Sequence, residues 1–257
     1  MDTPSRIHTI IVDLDRTLLH TDKTLSPHTV AVLQECKSRG MQIMVATARP
    51  LRTAKHYCDM IGADAMVVSN GARIICGNRQ TNHAIRPQTA VSLLNAFKRH
   101  PHLRLTLETG DVAYSNKPIA DYETVLSDDL AHIAQSEGAL KILVGLDQPN
   151  TLDLVKKLLT DDLYCTVANG HLLQIMDQSA TKWKGIQAML NSSNCLPEET
   201  AYFGDDHDDL EPIQKCGMGI AVSNAIDEVK AAADFIAESN DADGVAKFIQ
   251  HRLLPMP

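Results

Sequence analysis

Two aspartates, Asp13 and Asp15, stand directly after the short apolar run at residues 10–12. A strand ending in such a pair presents both carboxylates at its carboxyl edge, where one can attack while its neighbour handles protons. Carboxylates are competent nucleophiles toward phosphorus and form a covalent intermediate that splits one hard displacement into two. An anion attacking a phosphate needs positive help. The acidic run at residues 204–209, Gly-Asp-Asp-His-Asp-Asp, follows another apolar run and can supply oxygen ligands to Mg²⁺. That ion takes one or two carboxylates together with phosphate and water, and it neutralises charge across such a site. Thr47 closes a third apolar run, so its hydroxyl and the backbone N–H groups after it can meet a phosphate oxygen near a helix N-terminus. Lys182 can provide the remaining positive charge. Taken singly, such a threonine is ordinarily a helix cap, a lone lysine a solvated charge, an acidic run a hydrated loop and a strand-ending aspartate a turn cap. Their joint placement at predicted strand ends and at a domain junction raises the chemical reading.

The elements that must position these residues are βα units at both ends of the chain. Residues 7–12 form a β-branched run, and Ser26-Pro27 reads as an N-cap with proline at the first helical position. Gly40 ends that helix; residues 41–46 read as a second strand, a helix follows at about 50–61, and Val67-Val68 starts a third strand. The rhythm resumes with a helix at about 184–191, a strand at 200–203, a helix near 210–216, a strand at 219–222 and a helix at about 225–233. This alternation predicts an α/β fold, a Rossmann-like parallel sheet with helices on both faces, and ligands in such sheets sit at the carboxyl ends of the strands. Between the halves the pattern changes to a hairpin at 103–107 and 112–114, strands at 141–146 and 172–176, and a helix around 152–159. The chain is thus expected to comprise a core of residues 1–82 and 181–257, with a smaller α+β domain at 83–180 inserted into it.

Read jointly, DLDRTL from Asp13, ATAR from Ala46, SNGA from Ser69, TKWKG from Thr181, GDDHDD from Gly204, NAIDEVKAAAD from Asn224 and SNDADGVA from Ser239 form a specific set. The set resembles the haloacid dehalogenase-like hydrolases, in their Cof-type sugar-phosphatase branch with an inserted α/β cap. The resemblance implies a phosphoric monoester hydrolase. Asp13 would be its nucleophile and a Mg²⁺ ligand, and Asp15 its general acid/base, with the Asp15 backbone carbonyl on the metal. Thr47 and Lys182 would hold the transferring phosphoryl group, Asp205 would be the third protein ligand to Mg²⁺, and Asp209 would support the metal shell or orient Lys182. An acid/base of this kind should titrate nearer the working pH than free aspartate, and neighbouring anions are expected to push Asp15 upward. Three positions depart from the family pattern: Arg16 and Trp183 stand where glycine is common, and Asp208 where asparagine is usual. The cap is expected to act as a lid that selects the substrate, because the core residues touch only the phosphoryl group and the metal.

Receiver domains also combine a phospho-accepting aspartate, Mg²⁺, a threonine and a lysine, but Asp15 favours hydrolysis over a phosphoaspartate that must persist. A weakly catalytic sugar-phosphate sensor is a further alternative. Among phosphatases, a phosphorylated cofactor of the flavin or pyridoxal phosphate type competes with a sugar phosphate as substrate. The net charge of −8 over 257 residues argues against a nucleic-acid groove or an anionic membrane surface, while allowing a small anion at a local positive site. No apolar stretch approaches membrane-spanning length, and the six cysteines lack metal or redox spacing. The expected partner is a small phosphorylated metabolite rather than nucleic acid or membrane, the expected compartment is the cytoplasm, and no heptad or interface motif marks an oligomer.

Overall fold

Apolar runs bounded by polar turns form strands covered on both faces, and the first of them, β1 (Thr9–Val12), is buried throughout. The computed structural model describes residues 7–119, 123–168 and 170–254. After β1 come α1 (Pro27–Ser38), β2 (Gln42–Ala46), α2 (Leu51–Ile61), β3 (Ala65–Val68), β4 (Arg73–Cys76) and β5 (Arg79–Asn82). Next are α3 (Pro87–Lys98), β6 (Leu105–Glu108), β7 (Ala113–Ser115), β8 (Val125–Leu126), α4 (Leu130–Glu137), β9 (Lys141–Gly145), α5 (Thr151–Leu158), β10 (Leu163–Ala168) and β11 (Leu172–Asp177). The chain continues through α6 (Lys182–Ser193), β12 (Thr200–Gly204), α7 (Leu210–Lys215), β13 (Met218–Val222), α8 (Asp227–Ala232), β14 (Phe235–Ala237) and α9 (Gly244–Phe248). These elements divide into two units, Met1–Thr81 with Thr181–Pro257, and Asn82–Ala180.

The first unit is the α/β core. Its sheet has the order β14-β13-β12-β1-β2-β3-β4-β5. The run from β14 to β3 is parallel. From β1 the chain works outward on one side through β2 and β3, and it later returns to β1's other side through β12. That reversal of strand order makes a crevice at the carboxyl ends of β1 and β12. Helix α1 starts as the sequence predicts: Ser26 accepts from the Thr29 N–H, and Pro27 occupies the first turn. The parallel core is extended at one edge, where β4 runs antiparallel to β3 and β5 follows it. Strand β5 reads Arg-Gln-Thr-Asn and is exposed along its length, so no apolar period marks it in the sequence.

The second unit is a six-stranded sheet of order β10-β11-β9-β6-β7-β8, antiparallel from β10 through to β7 and parallel between β7 and β8. Leu93, Leu94 and Phe97 of α3, Ala134 of α4 and Val155 of α5 share one core with Leu107, Ile142, Val144, Leu173 and Ile175 of the sheet. Alternate strand residues point to opposite faces, which leaves Thr106, Glu108, Lys141 and Gln174 on the face away from that core. Among the described residues no helix is long and apolar enough to cross a membrane.

One close approach fixes where α6 begins. Gly71 has φ +95°, and a Cβ there would lie 2.1 Å from the carbonyl oxygen of Thr181, whose side chain caps α6 by accepting from the Lys184 N–H. Gly71→Ala combines left-handed strain with a backbone clash, so it should destabilise the chain by about 2 kcal/mol or more. Equilibrium urea unfolding measures this, and an unchanged midpoint would remove Gly71 from the positioning of α6.

Candidate active site

Val12 pairs with Phe203 at the end of β1 and β12, and the Asp13 N–H donates to the Phe203 carbonyl at 3.0 Å. This pairing carries Asp13 to the sheet's carboxyl edge beside the end of β12, where Asp205 follows. Both aspartates are buried. Lys182, the first residue of α6, is buried as well, and an ammonium so placed needs partners. Its Nζ donates to Asp13 Oδ1 at 3.2 Å and to Asp209 Oδ1 at 2.5 Å. Asp209 is itself held on every side: the Tyr202 hydroxyl donates to Oδ1 at 2.5 Å, and the N–H groups of Asp205 and Asp206 donate to Oδ2 at 2.9 and 3.1 Å. A side chain at Gly204 would put its Cβ 2.4 Å from the Asp209 Cβ, so the glycine makes room for this carboxylate.

The structure therefore brings Asp13, Lys182, Asp205 and Asp209 together. Carboxylate oxygens of the three aspartates lie within 4.8 Å of one another. Thr47 sits at the end of the neighbouring strand β2, buried, with its hydroxyl accepting from the Arg49 N–H at 3.2 Å. No hydrogen bond among the described residues joins it to the cluster. The Asp15 carboxylate turns instead toward two cations: Arg49 donates from Nε at 2.6 Å and from Nη2 at 2.7 Å, and Lys23 Nζ donates at 2.7 Å.

Three carboxylates facing one ammonium would carry excess negative charge if all were ionised, and burial together with that excess raises the pKa of Asp13 and Asp205. Burial, followed by the fields of Asp209, Asp205 and Asp15, holds Asp13 well above the usual carboxylate range despite the opposing pull of Lys182. Burial and the Asp209 charge push Asp205 up to about 7, although the Thr17 hydroxyl, donating at 2.8 Å, works against the rise. Lys182 stays protonated: burial lowers it, but Asp13, Asp209 and Asp208 raise it further. A donor set of hard oxygens with excess negative charge fits a divalent cation. Asp209 already accepts four hydrogen bonds, so Asp13 and Asp205 are the carboxylates open to such an ion.

Asp15 departs from the expected upward shift. Burial does raise it, but the hydrogen bonds and charges of Arg49 and Lys23 outweigh burial and hold its carboxyl below the ordinary range. Arg49 lies within the ATAR run, yet its part depends on a partner 34 residues away. Asn224 and Asn240 were also without an assigned part. The Asn224 amide donates to the Arg16 carbonyl at 2.7 Å, and its oxygen accepts from the Asn240 N–H at 2.9 Å. Their presence in the last two motifs was the available signal.

The three departures from the family pattern acquire physical readings. Arg16 has φ 58°, a left-handed conformation that glycine adopts without cost, and its exposed guanidinium lies 3.9 Å from Asp205. Trp183 packs into the hydrophobic core of the first unit. Asp208 accepts from the Asn70 amide at 2.7 Å, while Asn70 Oδ1 is buried without a partner among the described residues.

Asp205, raised from an ordinary value of 3.8 to about 7, keeps its proton in the folded chain where the unfolded chain has lost it. Metal-free stability should therefore fall as pH rises from about 4 to about 7. The raised Asp13 carboxyl adds a fall of the same sign, while the Lys182 shift acts above this window and the Asp15 shift below it. A divalent cation held by these carboxylates would favour their ionised forms, so Mg²⁺ should raise the Tm by roughly 3 °C or more at about pH 8 and by less at about pH 5. Thermal melts of the wild type and Asp205→Asn check this, and an equal Mg²⁺ response in both proteins would contradict it.

Residues 10–249 match the family of haloacid dehalogenase-like hydrolases. The 5-amino-6-(5-phospho-D-ribitylamino)uracil phosphatase of Bacillus subtilis is 26% identical over 94% of this chain and 96% of its own length. A phosphoglycolate phosphatase of Methanopyrus kandleri is 20% identical over 95% of this chain and 96% of its own. In fold, the chain is similar to a haloacid dehalogenase-like hydrolase from Bacteroides thetaiotaomicron, with a TM-score of 0.85 at 22% identity over 96% of this chain and 99% of that one. The matched span runs from β1, which delivers Asp13, through α9, and so the chain belongs to the haloacid dehalogenase-like hydrolases, in the Cof-type branch its motifs resemble.

Proposed function

We propose that this enzyme is a Mg²⁺-dependent phosphatase that hydrolyses a small phosphomonoester, a sugar phosphate, through an aspartyl-phosphate on Asp13. The observation that carries this reading is the buried Lys182 ammonium shared between Asp13 and Asp209 at the carboxyl edge of β1. Lys182 holds Asp13 through Oδ1, which leaves Oδ2 to face phosphorus. Asp13, the Asp15 carbonyl and Asp205 would hold Mg²⁺, which neutralises charge between the nucleophile and the phosphoryl oxygens.

In the first step the bond between Asp13 Oδ2 and phosphorus forms as the ester P–O bond breaks, and Asp15 gives its proton to the leaving oxygen. In the second step Asp15 takes a proton from water, the water oxygen bonds to phosphorus, and the Asp13–phosphorus bond breaks to release inorganic phosphate. Lys182 and Thr47 hold phosphoryl oxygens through both steps. The ion pairs with Arg49 and Lys23 favour the ionised Asp15 that the second step requires. Approach of an anionic phosphoryl group favours the protonated form that the first step requires.

Phosphate chemistry is common to all monoesters, so selectivity is assigned to the inserted unit, Asn82–Ala180. A phosphorylated cofactor intermediate is the second reading of the substrate, favoured by the name of the Bacillus subtilis relative. Phosphate release over a panel of hexose phosphates, pentose phosphates, nucleotides, flavin mononucleotide and pyridoxal phosphate decides between them. Asp13→Asn should lower turnover by about 10³-fold or more with folding intact, and near wild-type turnover in that variant would refute the covalent route. Lys182→Ala should depress kcat/KM by about 10²-fold or more on every substrate alike. Exchanges within the inserted unit should reorder the substrates, and a ranking indifferent to them would overturn its assignment.

A further inference from the structure

An acid/base acts on the leaving oxygen only from a fixed orientation, and the orientation of Asp15 is set by residues outside the cluster around Lys182. Arg49 grips both Asp15 oxygens, with Nε on Oδ2 at 2.6 Å and Nη2 on Oδ1 at 2.7 Å, and Lys23 adds a third bond to Oδ1 at 2.7 Å. Both cations lead to one side chain. The Arg49 guanidinium carbon lies 5.0 Å from the Tyr57 ring centroid. The Tyr57 hydroxyl donates to the Lys23 carbonyl at 2.8 Å.

Each contact has a physical use. Lys23 stands at the tip of a tight turn with φ 69°, a left-handed conformation unfavourable for a side-chain-bearing residue. The turn is closed locally by Lys23 N–H to the His20 carbonyl at 2.9 Å and His20 N–H to the Thr24 carbonyl at 3.0 Å. The Tyr57 hydroxyl is the tie that fastens this strained tip to α2. The ring face meanwhile offers its negative quadrupole to the guanidinium, whose other edge donates to the Thr53 carbonyl, one helical turn before Tyr57, at 3.3 Å. Tyr57 is buried on the inner face of α2, beside Ala54, Cys58 and Ile61 in sequence register, so its position is set by the core and passes to both cations.

We infer that Tyr57 is a positioning residue for the proton-transfer steps: through Arg49 and Lys23 it aims the Asp15 carboxyl at the leaving group. This inference rests on the phosphatase reading above. A tyrosine that only filled the core would slow every substrate equally when replaced, whereas a positioning residue acts where the leaving group needs a proton.

The test compares wild type, Tyr57→Phe and Tyr57→Leu, with Asp15→Asn setting the scale, on p-nitrophenyl phosphate and on glycerol phosphate. The aryl leaving group departs unprotonated; the alkyl one does not. Tyr57→Leu should lose at least about tenfold more kcat on the alkyl ester than on the aryl ester. Tyr57→Phe keeps the ring under Arg49 and should fall between it and wild type; if Tyr57→Leu does not fold, the ratio in Tyr57→Phe decides. Independently of activity, ¹⁵N NMR of the protein without substrate should show the Arg49 Nε–H exchanging slowly in wild type and Tyr57→Phe, and rapidly in Asp15→Asn and Tyr57→Leu. Equal losses on the two esters in folded variants, or an unaltered Arg49 Nε–H in Tyr57→Leu, would overturn the inference. A wild type that releases no phosphate from these two esters or from any member of the panel above would remove the phosphatase reading and the catalytic part of this inference with it, while the Nε–H signal would still report whether Tyr57 holds the clamp.

Discussion

The site is organised around one ammonium buried among carboxylates. Lys182 stands at the first position of α6, where the helix dipole disfavours a cation, and its contacts with Asp13 and Asp209 outweigh that penalty. Keeping it there constrains residues far apart in sequence. Gly71 lets the α6 N-terminus come against the turn after β3, Gly185 lets α6 lie on Val67, and Gly204 leaves space for Asp209. Removing any of these fits would move the charge relative to Asp13 at the end of β1.

A second set of contacts separates the titration of neighbouring groups. Asp13 and Asp205 are pushed up by burial and by the Asp209 charge, while Asp15, two residues from Asp13, is drawn down by Arg49 and Lys23. Groups of the same type driven in opposite directions can take opposite parts in proton transfer. The loop between Asp13 and Leu19 keeps its shape through distant amides: Asn224 holds the Arg16 carbonyl and Asn240 holds that of Leu19 at 3.0 Å. The closing motifs of the chain are thus scaffold for its opening one.

Much of this was legible in the sequence, for reasons that also explain what was not. Strands such as β1, β2 and β12 are buried on both faces and read as apolar runs ending in polar residues, so the parallel core and the strand-end aspartates stand out together. Strand β5 is exposed and polar, and β10 only half-buried, so neither carries a period to read. The downward pull on Asp15 depends on Lys23 and Arg49, 8 and 34 residues away; motif spacing showed the neighbouring anions and not the cations that the fold brings in. Arg16 in place of glycine became intelligible only from its left-handed backbone and from Asn224, 208 residues on.

The central claim, that Asp13 carries the phosphoryl group between ester and water, is tested most directly by catching that adduct. Rapid acid quenching of the Mg²⁺-loaded enzyme during turnover, followed by peptide mass spectrometry, should find a phosphoryl increment on the peptide containing Asp13, localised to that side chain, which decays as substrate is exhausted. Turnover at full rate with no adduct on that peptide, or with the increment on another residue, would contradict the account.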